Sequence, residues 1–418
     1  MRKRTTAVVV TWNSGHLLEE LARTLSDLQP MCRIIVSDNR SSDGTVERLK
    51  EKVPEASFIL NPVNGGFGYG NNRAIERCET EFVLLLNSDA RLSPRAVPLL
   101  EGALDGDPGV AGVQPLVRLW GWPMITLSAG SSMNEYGRGY DLDFMHFQPF
   151  TGDEVREEPC ITAAVSLFRT EALRRTGGFD QSMFMYFEDV DLCLRMRSMG
   201  MGLMVRPDIE ALHMAGASSR RSSAERWELI SSAYLARKYL GGPECELPRY
   251  WMRRELRSLL YDMVHGRPWS WRIGALGRAM RMEVEKVDLD PGFLSVLLAP
   301  RPLRMSRRRP PEPRSSAVFI PPVSPGPGWM DGATGEWGFG CLGVPKAGGR
   351  LVLEVSTCNI PGSVAVWSSS GCLSRTFLTG EGVSRLEAEV PDGDGCVYIV
   401  PDMNGQRVEL KNAHYLGC

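Results

Sequence analysis

The residue types that could do chemistry fall in five places along the 418-residue chain. The run Ser37-Asp38-Asn39-Arg40-Ser41-Ser42-Asp43-Gly44-Thr45 follows a short apolar segment. In an open α/β sheet the carboxyl ends of the strands face the ligand crevice, so Asp38 stands where a carboxylate could accept hydrogen bonds from a nucleobase or ribose. Ser42 and Asp43 equally suit the cap of a helix beginning near Val46. The second place is Asn64-Gly65-Gly66-Phe67-Gly68-Tyr69-Gly70-Asn71-Asn72. Its glycines let backbone approach a ligand at a helix start, where free N–H groups favour phosphate, yet such a turn also exists without any ligand. The spacing fits neither the dinucleotide GxGxxG pattern nor the Walker loop.

The third is the abrupt polar end of an apolar run, Leu84-Leu85-Leu86-Asn87-Ser88-Asp89. A carboxylate there can hold a divalent cation against a diphosphate, or simply serve a strand-to-helix turn. The fourth joins Gly177-Gly178-Phe179-Asp180 to an aromatic run and then Glu188-Asp189-Val190-Asp191. The helix dipole and an i,i+4 pair with Arg195 account for Asp191. Glu188 and Asp189 repel one another, which raises a pKa as a general base requires. The fifth is His213, 24 residues after Asp189. A lone histidine after a strand is ordinarily structural, but this spacing permits a return to the crevice as a metal ligand.

Elements able to position these groups are legible in the first 117 residues. Apolar runs at Ala7–Thr11, Ile34–Ser37, Phe58–Leu60, Phe82–Leu86 and Val110–Val113 alternate with helical patterns near 16–28, 43–52, 68–79 and 93–104. That alternation predicts βαβ units and a parallel sheet with helices on both faces. Residues 118–158 look irregular, as substrate-facing loops would. A strand at Ile161–Phe168 and a helix from about Glu188 to Met199 resume the pattern. Residues 249–281 hold eight Arg and only two acidic residues, interleaved with Trp251, Tyr261, Trp269 and Trp271. Nine prolines between 300 and 327 read as a stiff linker, and short alternating strands after about 315 read as a small all-β sandwich.

Composition sets the bounds. At 43% hydrophobic residues the chain can bury a core, and a net charge of −2 excludes a uniformly basic nucleic-acid binder. By segment that sum is −4 for 1–240, +6 for 241–310 and −4 for 311–418, so neutrality hides a basic middle. No recognised nucleic-acid motif accompanies it; the choice lies between a solvated helix face and contact with an anionic membrane surface. The ten cysteines form no CxxC pair or zinc spacing and are expected as free thiols. No apolar run approaches a membrane span, and Met1–Val10 lacks a signal-peptide pattern, so the expected location is cytoplasmic.

In this order the motifs resemble the inverting, GT-A-fold glycosyltransferases of family 2, especially the bacterial rhamnosyltransferase-like branch. The match runs over roughly residues 5–220: Val-Val-Val-Thr-Trp-Asn (8–13), Asp38-Asn39 with Asp43-Gly44-Thr45, Asn64 to Asn72, Leu-Leu-Asn-Ser-Asp (85–89), Gly-Gly-Phe-Asp (177–180), Glu-Asp-Val-Asp-Leu-Cys-Leu-Arg (188–195) and His213. The resemblance implies that Asp38 and the backbone near Thr11 hold the base. Asn64, Gly65, Gly66, Asn72, Asn87 and Ser88 would line the donor site. Asp89 would bind Mg²⁺ or Mn²⁺ on the donor diphosphate with His213, and Asp189, beside Glu188, would be the general base. The triplet begins with Asn87 rather than Asp, which removes a charge and weakens metal binding. The implied donor is a nucleotide-diphosphate sugar, dTDP-rhamnose or a UDP-sugar. The implied acceptor is a glycan or a lipid-linked sugar in cell-surface polysaccharide assembly, at the inner face of the cytoplasmic membrane. A non-catalytic nucleotide-sugar or glycan-binding scaffold with a degenerate triplet is the alternative. The expected architecture is α/β: a Rossmann-like GT-A domain over 1–240, an Arg/Trp-rich helical segment with a Pro-rich linker over 241–312, and a β-sandwich over 313–418 that could bind glycan, a partner or a second subunit.

Overall fold

The computed structural model describes residues 2–148, 154–214, 221–240, 247–266, 269–298, 318–319, 324–325, 329–330, 333–334, 339–356, 362–378, 383–401 and 408–417. Most of the Pro-rich linker lies outside these. Two compact units form: 1–117 with 128–142 and 152–301, and 118–127 with 143–151 and 302–418.

The first unit begins with β1 (Thr5–Thr11), α1 (Leu18–Leu28), β2 (Cys32–Asp38), α2 (Thr45–Lys52), β3 (Ser57–Leu60), α3 (Phe67–Ile75), β4 (Phe82–Leu86), β5 (Ala90–Leu92), α4 (Ala96–Gly106) and β6 (Val110–Leu119). β1 pairs in parallel with β2 and with β4, and β2 in parallel with β3. Successive side chains of a strand point to opposite faces, and both faces here are covered. Ala7, Val9, Leu84 and Leu86 therefore enter one core with α1 and α4, while Val8, Val83 and Leu85 enter another on the far face.

Between β6 and the resumed pattern lie five short strands: β7 (Trp122–Ser128), β8 (Ser131–Met133), β9 (Gly139–Asp141), β10 (His146–Phe147) and β11 (Arg156–Glu157). The stretch read as irregular loops is thus partly hairpin, β8 pairing antiparallel with β9. Next come β12 (Val165–Arg169), α5 (Thr170–Arg175), α6 (Glu188–Ser198), β13 (Gly202–His213), α7 (Arg221–Leu235), a π-helical segment Ala236–Leu240, α8 (Leu247–Val264), α9 (Ser270–Arg281) and α10 (Pro291–Leu298).

The sheet departs from the all-parallel expectation at β12, which inserts antiparallel between β4 and β6. An apolar run reports burial but neither direction nor neighbour, so the sequence pattern could not show this. The insertion has a consequence for chemistry. Val165 lies opposite Leu86, so the residues just before β12 sit at the carboxyl end of β4.

In the second unit two sheets share an apolar core that includes Leu351, Leu353, Val364, Val366, Leu386 and Ile399. Two packed sheets are the architecture expected for 313–418, but the unit also takes in 118–127 and 143–151, which are expected within the 1–240 domain. Its strand Gly371–Leu378 has a burial pattern that does not alternate cleanly. β7 and β10 pair within this unit, the Phe147 ring lying tilted or edge-on to Phe339, Trp367 and Tyr398 at 5.3–6.2 Å between ring centroids.

Candidate active site

β1 and β2 end together, Thr11 opposite Asp38. The Thr11 hydroxyl donates to Asp38 Oδ1 at 2.8 Å, and Ser41 donates to the same carboxylate from its hydroxyl (2.6 Å) and its N–H (2.7 Å). Asp38 is 2% exposed, and its two oxygens brace the loop after β2. Asp43 accepts from Gly15 N–H at 2.8 Å and from Thr45 N–H at 3.1 Å, bracing the turn into α2 from one residue ahead of Gly44, which holds the cap position weighed for Ser42 or Asp43. Burial pushes its pKa up, but the Thr45 and Gly15 bonds outweigh that and hold it below the ordinary value.

The glycine-rich turn is shaped by close approach. Gly66 has φ +93°, and a Cβ there would lie 2.1 Å from the carbonyl oxygen of Phe184. Phe67 N–H donates to that carbonyl at 3.1 Å, and Asn64 Oδ1 accepts from Gly66 N–H at 3.1 Å. At Gly70 a Cβ would meet Val10 at 2.7 Å, so α3 lies directly on β1. Asn64 and Gly65 are half-buried at the turn. Asn72 is turned the other way. Its amide clamps Phe179, donating to the carbonyl and accepting from the N–H, both at 2.8 Å, and it is 7% exposed.

β4 ends in Asn87-Ser88-Asp89, with Asn87 and Ser88 half-buried and Asp89 3% exposed. β5 then pairs antiparallel with the end of β13, Ala90 opposite His213, which delivers the histidine to the triplet. His213 Nε2 lies 3.0 Å from Asp89 Oδ1 and 3.3 Å from Asn87 Nδ2. Burial raises the Asp89 carboxyl, but the charge and hydrogen bond of His213 outweigh it and the net direction is down. For His213 burial pushes down, Asp89 pushes up harder, and the net direction is up.

The donor inventory of this trio does not close. One ring nitrogen cannot donate to the carboxylate and accept from the amide at once. Protonated, Nε2 satisfies Asp89 and leaves the Asn87 amide unmatched; deprotonated, it accepts from Asn87 and turns a lone pair toward the carboxylate. Asn87 Oδ1 is in addition buried with no hydrogen-bond partner. A cation bound by a deprotonated Nε2 and an Asp89 oxygen would replace the contested proton, and the unpartnered Asn87 Oδ1 is a third atom of the type such an ion takes, so these residues fit a divalent metal. Among the described residues no group of three His, Cys, Asp or Glu side chains gathers, so most of the coordination would come from elsewhere.

The general-base candidate adjoins this trio through backbone. Asn87 N–H donates to Ala164 O at 2.8 Å, and the neighbouring Ala163 N–H donates to Asp189 Oδ2 at 3.2 Å. Val190 N–H reaches Asp189 Oδ1 at 2.8 Å. Asp189 is half-buried and Glu188 6% exposed. Before them Tyr186 and Phe187 are both left-handed, at φ +70° and +66°. Such residues cost about 1–3 kcal/mol each and cluster where function over-determines the backbone.

Sequence reasoning missed what holds α6 in place. Asp191, fully buried, forms its expected pair with Arg195 (2.8 Å) and also meets Lys238 Nζ at 2.7 Å and the Tyr239 hydroxyl at 2.8 Å. Lys238 bridges onward to Asp180 at 2.7 Å, where the Tyr234 hydroxyl also donates at 2.8 Å. Both tyrosine rings flank the ammonium. The π-helical turn carries Lys238 and Tyr239, consecutive residues, into one cluster. A lone lysine in a helical pattern gives no sequence signal of this.

Comparison with known proteins bears on the whole site. Over 314 residues, 67% of this chain and 97% of the relative, the chain is 24% identical to the N-acetylglucosaminyl-diphospho-decaprenol L-rhamnosyltransferase of Mycobacterium tuberculosis. Over 75 residues, 17% of this chain and 28% of the relative, it is 47% identical to the rhamnosyltransferase WbbL of Escherichia coli K12. Among solved structures, GalNAc-T7 with UDP, GalNAc and Mn²⁺ aligns with TM-score 0.48 and 14% identity, covering 66% of this chain and 57% of that one. The family model described as glycosyltransferase like family 2 matches residues 3–229, which span every group described above up to His213. With more than half its length inside that model, the chain belongs to glycosyltransferase family 2 and is a glycosyltransferase.

Proposed function

We propose that the chain moves a sugar from a nucleotide-diphosphate donor to a hydroxyl of a glycan or lipid-linked acceptor, with inversion, in the assembly of a cell-surface polysaccharide. The observation that carries this reading is the backbone link between the Asn87–Asp89–His213 trio and Asp189 through Ala163 and Ala164. It sets a cation-ready end and a carboxylate on adjoining backbone, the two groups a single displacement needs. The rhamnosyl specificity in the names of two relatives favours dTDP-rhamnose as donor over a UDP-sugar.

Asp89 and His213, with Asn87 Oδ1, would hold Mg²⁺ or Mn²⁺, the donor diphosphate completing the shell. When bound, the cation neutralises charge on the leaving diphosphate. Asp189 accepts the proton of the acceptor hydroxyl as that oxygen bonds the anomeric carbon, while the bond from that carbon to the diphosphate oxygen breaks. The nucleoside diphosphate leaves with the bonding pair, and no covalent enzyme intermediate forms. Asp38, held by Thr11 and Ser41, keeps the loop after β2 set for the base. Asn64, Gly65, Gly66 and Ser88 line the donor side, and Asn72 acts at one remove by fixing Phe179.

The test pairs two measurements on Asp189→Asn. Transfer, followed as donor consumption with Mn²⁺, is expected to fall by about 10³-fold or more. Donor binding, followed as a rise in thermal stability across dTDP-rhamnose, UDP-sugars and GDP-mannose, is expected to persist. Turnover equal to that of the unaltered chain would remove Asp189 from this role.

A further inference from the structure

Among the described side chains of α8 and α9, several large apolar ones face outward. On α8 the acidic Asp262 is 6% exposed and accepts from Arg272 Nε at 2.8 Å. Leu256, Leu260 and Val264, spaced by four on one face, are 50%, 59% and 80% exposed. On α9 the small residues Ala275 and Ala279 are buried, Ala275 packing with Leu229 and Ile230 of α7. Trp269, Ile273 and Met280 are exposed. A helix that packed only on its own protein would reverse this arrangement.

The apolar stripe is fringed by cations. Arg257 and Arg281 are exposed, in a stretch of eight Arg and two acidic residues of which one, Asp262, is turned inward, while Arg278 lies over the Trp227 ring of α7 at 4.8 Å. Exposed apolar side chains beside arginine and Trp suit the boundary between headgroups and acyl chains, where arginine stems lie along the apolar zone and guanidinium groups meet phosphate. Among the described residues no helix is long and apolar enough to cross a membrane, so the fit is to a surface. We propose that this face of α8 and α9 docks on an anionic lipid bilayer. The proposal rests on the helices alone and stands or falls independently of the transfer chemistry.

The experiment is co-sedimentation of the full chain with phosphatidylcholine vesicles and with vesicles also containing phosphatidylglycerol. Pelleting is expected with the anionic vesicles and is expected to weaken as salt is raised. Two variants divide the contributions: Leu260→Glu with Val264→Glu, and Arg257→Glu with Arg281→Glu. Each charge reversal is expected to reduce partition several-fold, the double Arg variant by about tenfold or more. A far-ultraviolet spectrum and a cooperative thermal transition matching those of the unaltered chain show that both variants are folded. The proposal is overturned if the unaltered chain stays in the supernatant with anionic vesicles, or if either variant pellets as it does. It is also overturned if a concentration-dependent dimer, lost in Leu260→Glu with Val264→Glu, accounts for the face instead.

Discussion

The first unit carries two buried acid–base clusters built on opposite plans. Around Lys238 the charges pair off: Asp180 and Asp191 share one ammonium, Arg195 takes the other Asp191 oxygen, and Tyr234 and Tyr239 donate to the oxygens the ammonium already meets, with Arg195 Nη2 left buried and unpartnered. Around His213 the contest is over the proton itself: a carboxylate and an amide compete for one ring nitrogen and a buried amide oxygen has no partner. A cluster whose charges pair off is a fastening. One that stays incomplete at the end of a strand is prepared for something that arrives from solution. The contrast also separates neighbours in sequence, since Asp191 belongs to the fastening while Asp189, two positions earlier, is the residue proposed above as general base.

The sharpest way to break this distinction is Lys238→Met. It strands two carboxylates, one fully buried, and is expected to lower the unfolding free energy by about 3–5 kcal/mol. Lys238→Arg should retain part of the loss in denaturant titration. Asp89→Ala should show the opposite profile. Transfer is expected to drop about 100-fold, while stability changes by no more than ~1–2 kcal/mol because a neutral imidazole needs no counter-charge. Equal stability losses in the two variants would erase the difference between the clusters.

A pH titration sharpens the closed cluster. Burial pushes Asp180 up, but Lys238, the Ser182 N–H and Tyr234 pull harder and hold it at about 2. A depressed folded-state pKa stabilises above the unfolded value and is lost as pH falls. The contribution, about 1–2 kcal/mol after solvent screening, should therefore be complete above pH ~4 and disappear toward pH ~2. Acid denaturation of Asp180→Asn should lack that component. The smallest change concerns the open cluster. Asn87→Asp restores a charge to the triplet and is expected to tighten Mn²⁺ about tenfold, read by metal titration. Unchanged affinity would take Asn87 out of the ligand set.

Much of this site was legible in the chain because its chemistry sits where apolar runs stop. Leu84-Leu85-Leu86 followed by Asn87-Ser88-Asp89 announces a strand end with a carboxylate, and the structure puts His213 beside it. The illegible parts depend on partners distant in sequence. Asn72 looked like a donor ligand on a glycine-rich turn, yet its amide closes on Phe179, 107 residues away. Lys238 had no acid at helical spacing to mark it. β12 had the right burial and the opposite direction from the one expected, and only strand pairing reveals that it brings Ala163 and Ala164 between Asn87 and Asp189.

The approach of Gly66 to Phe184 reaches beyond its own turn. It makes two stretches of chain interdependent parts: neither can be recut alone, because a side chain at Gly66 or a shifted carbonyl at Phe184 collides with the other. A chimera exchanging residues 64–72 with another member of the family would have to exchange residues 177–187 in the same step. Diversification of the glycine-rich turn is thereby yoked to the segment that launches the α6 carboxylates.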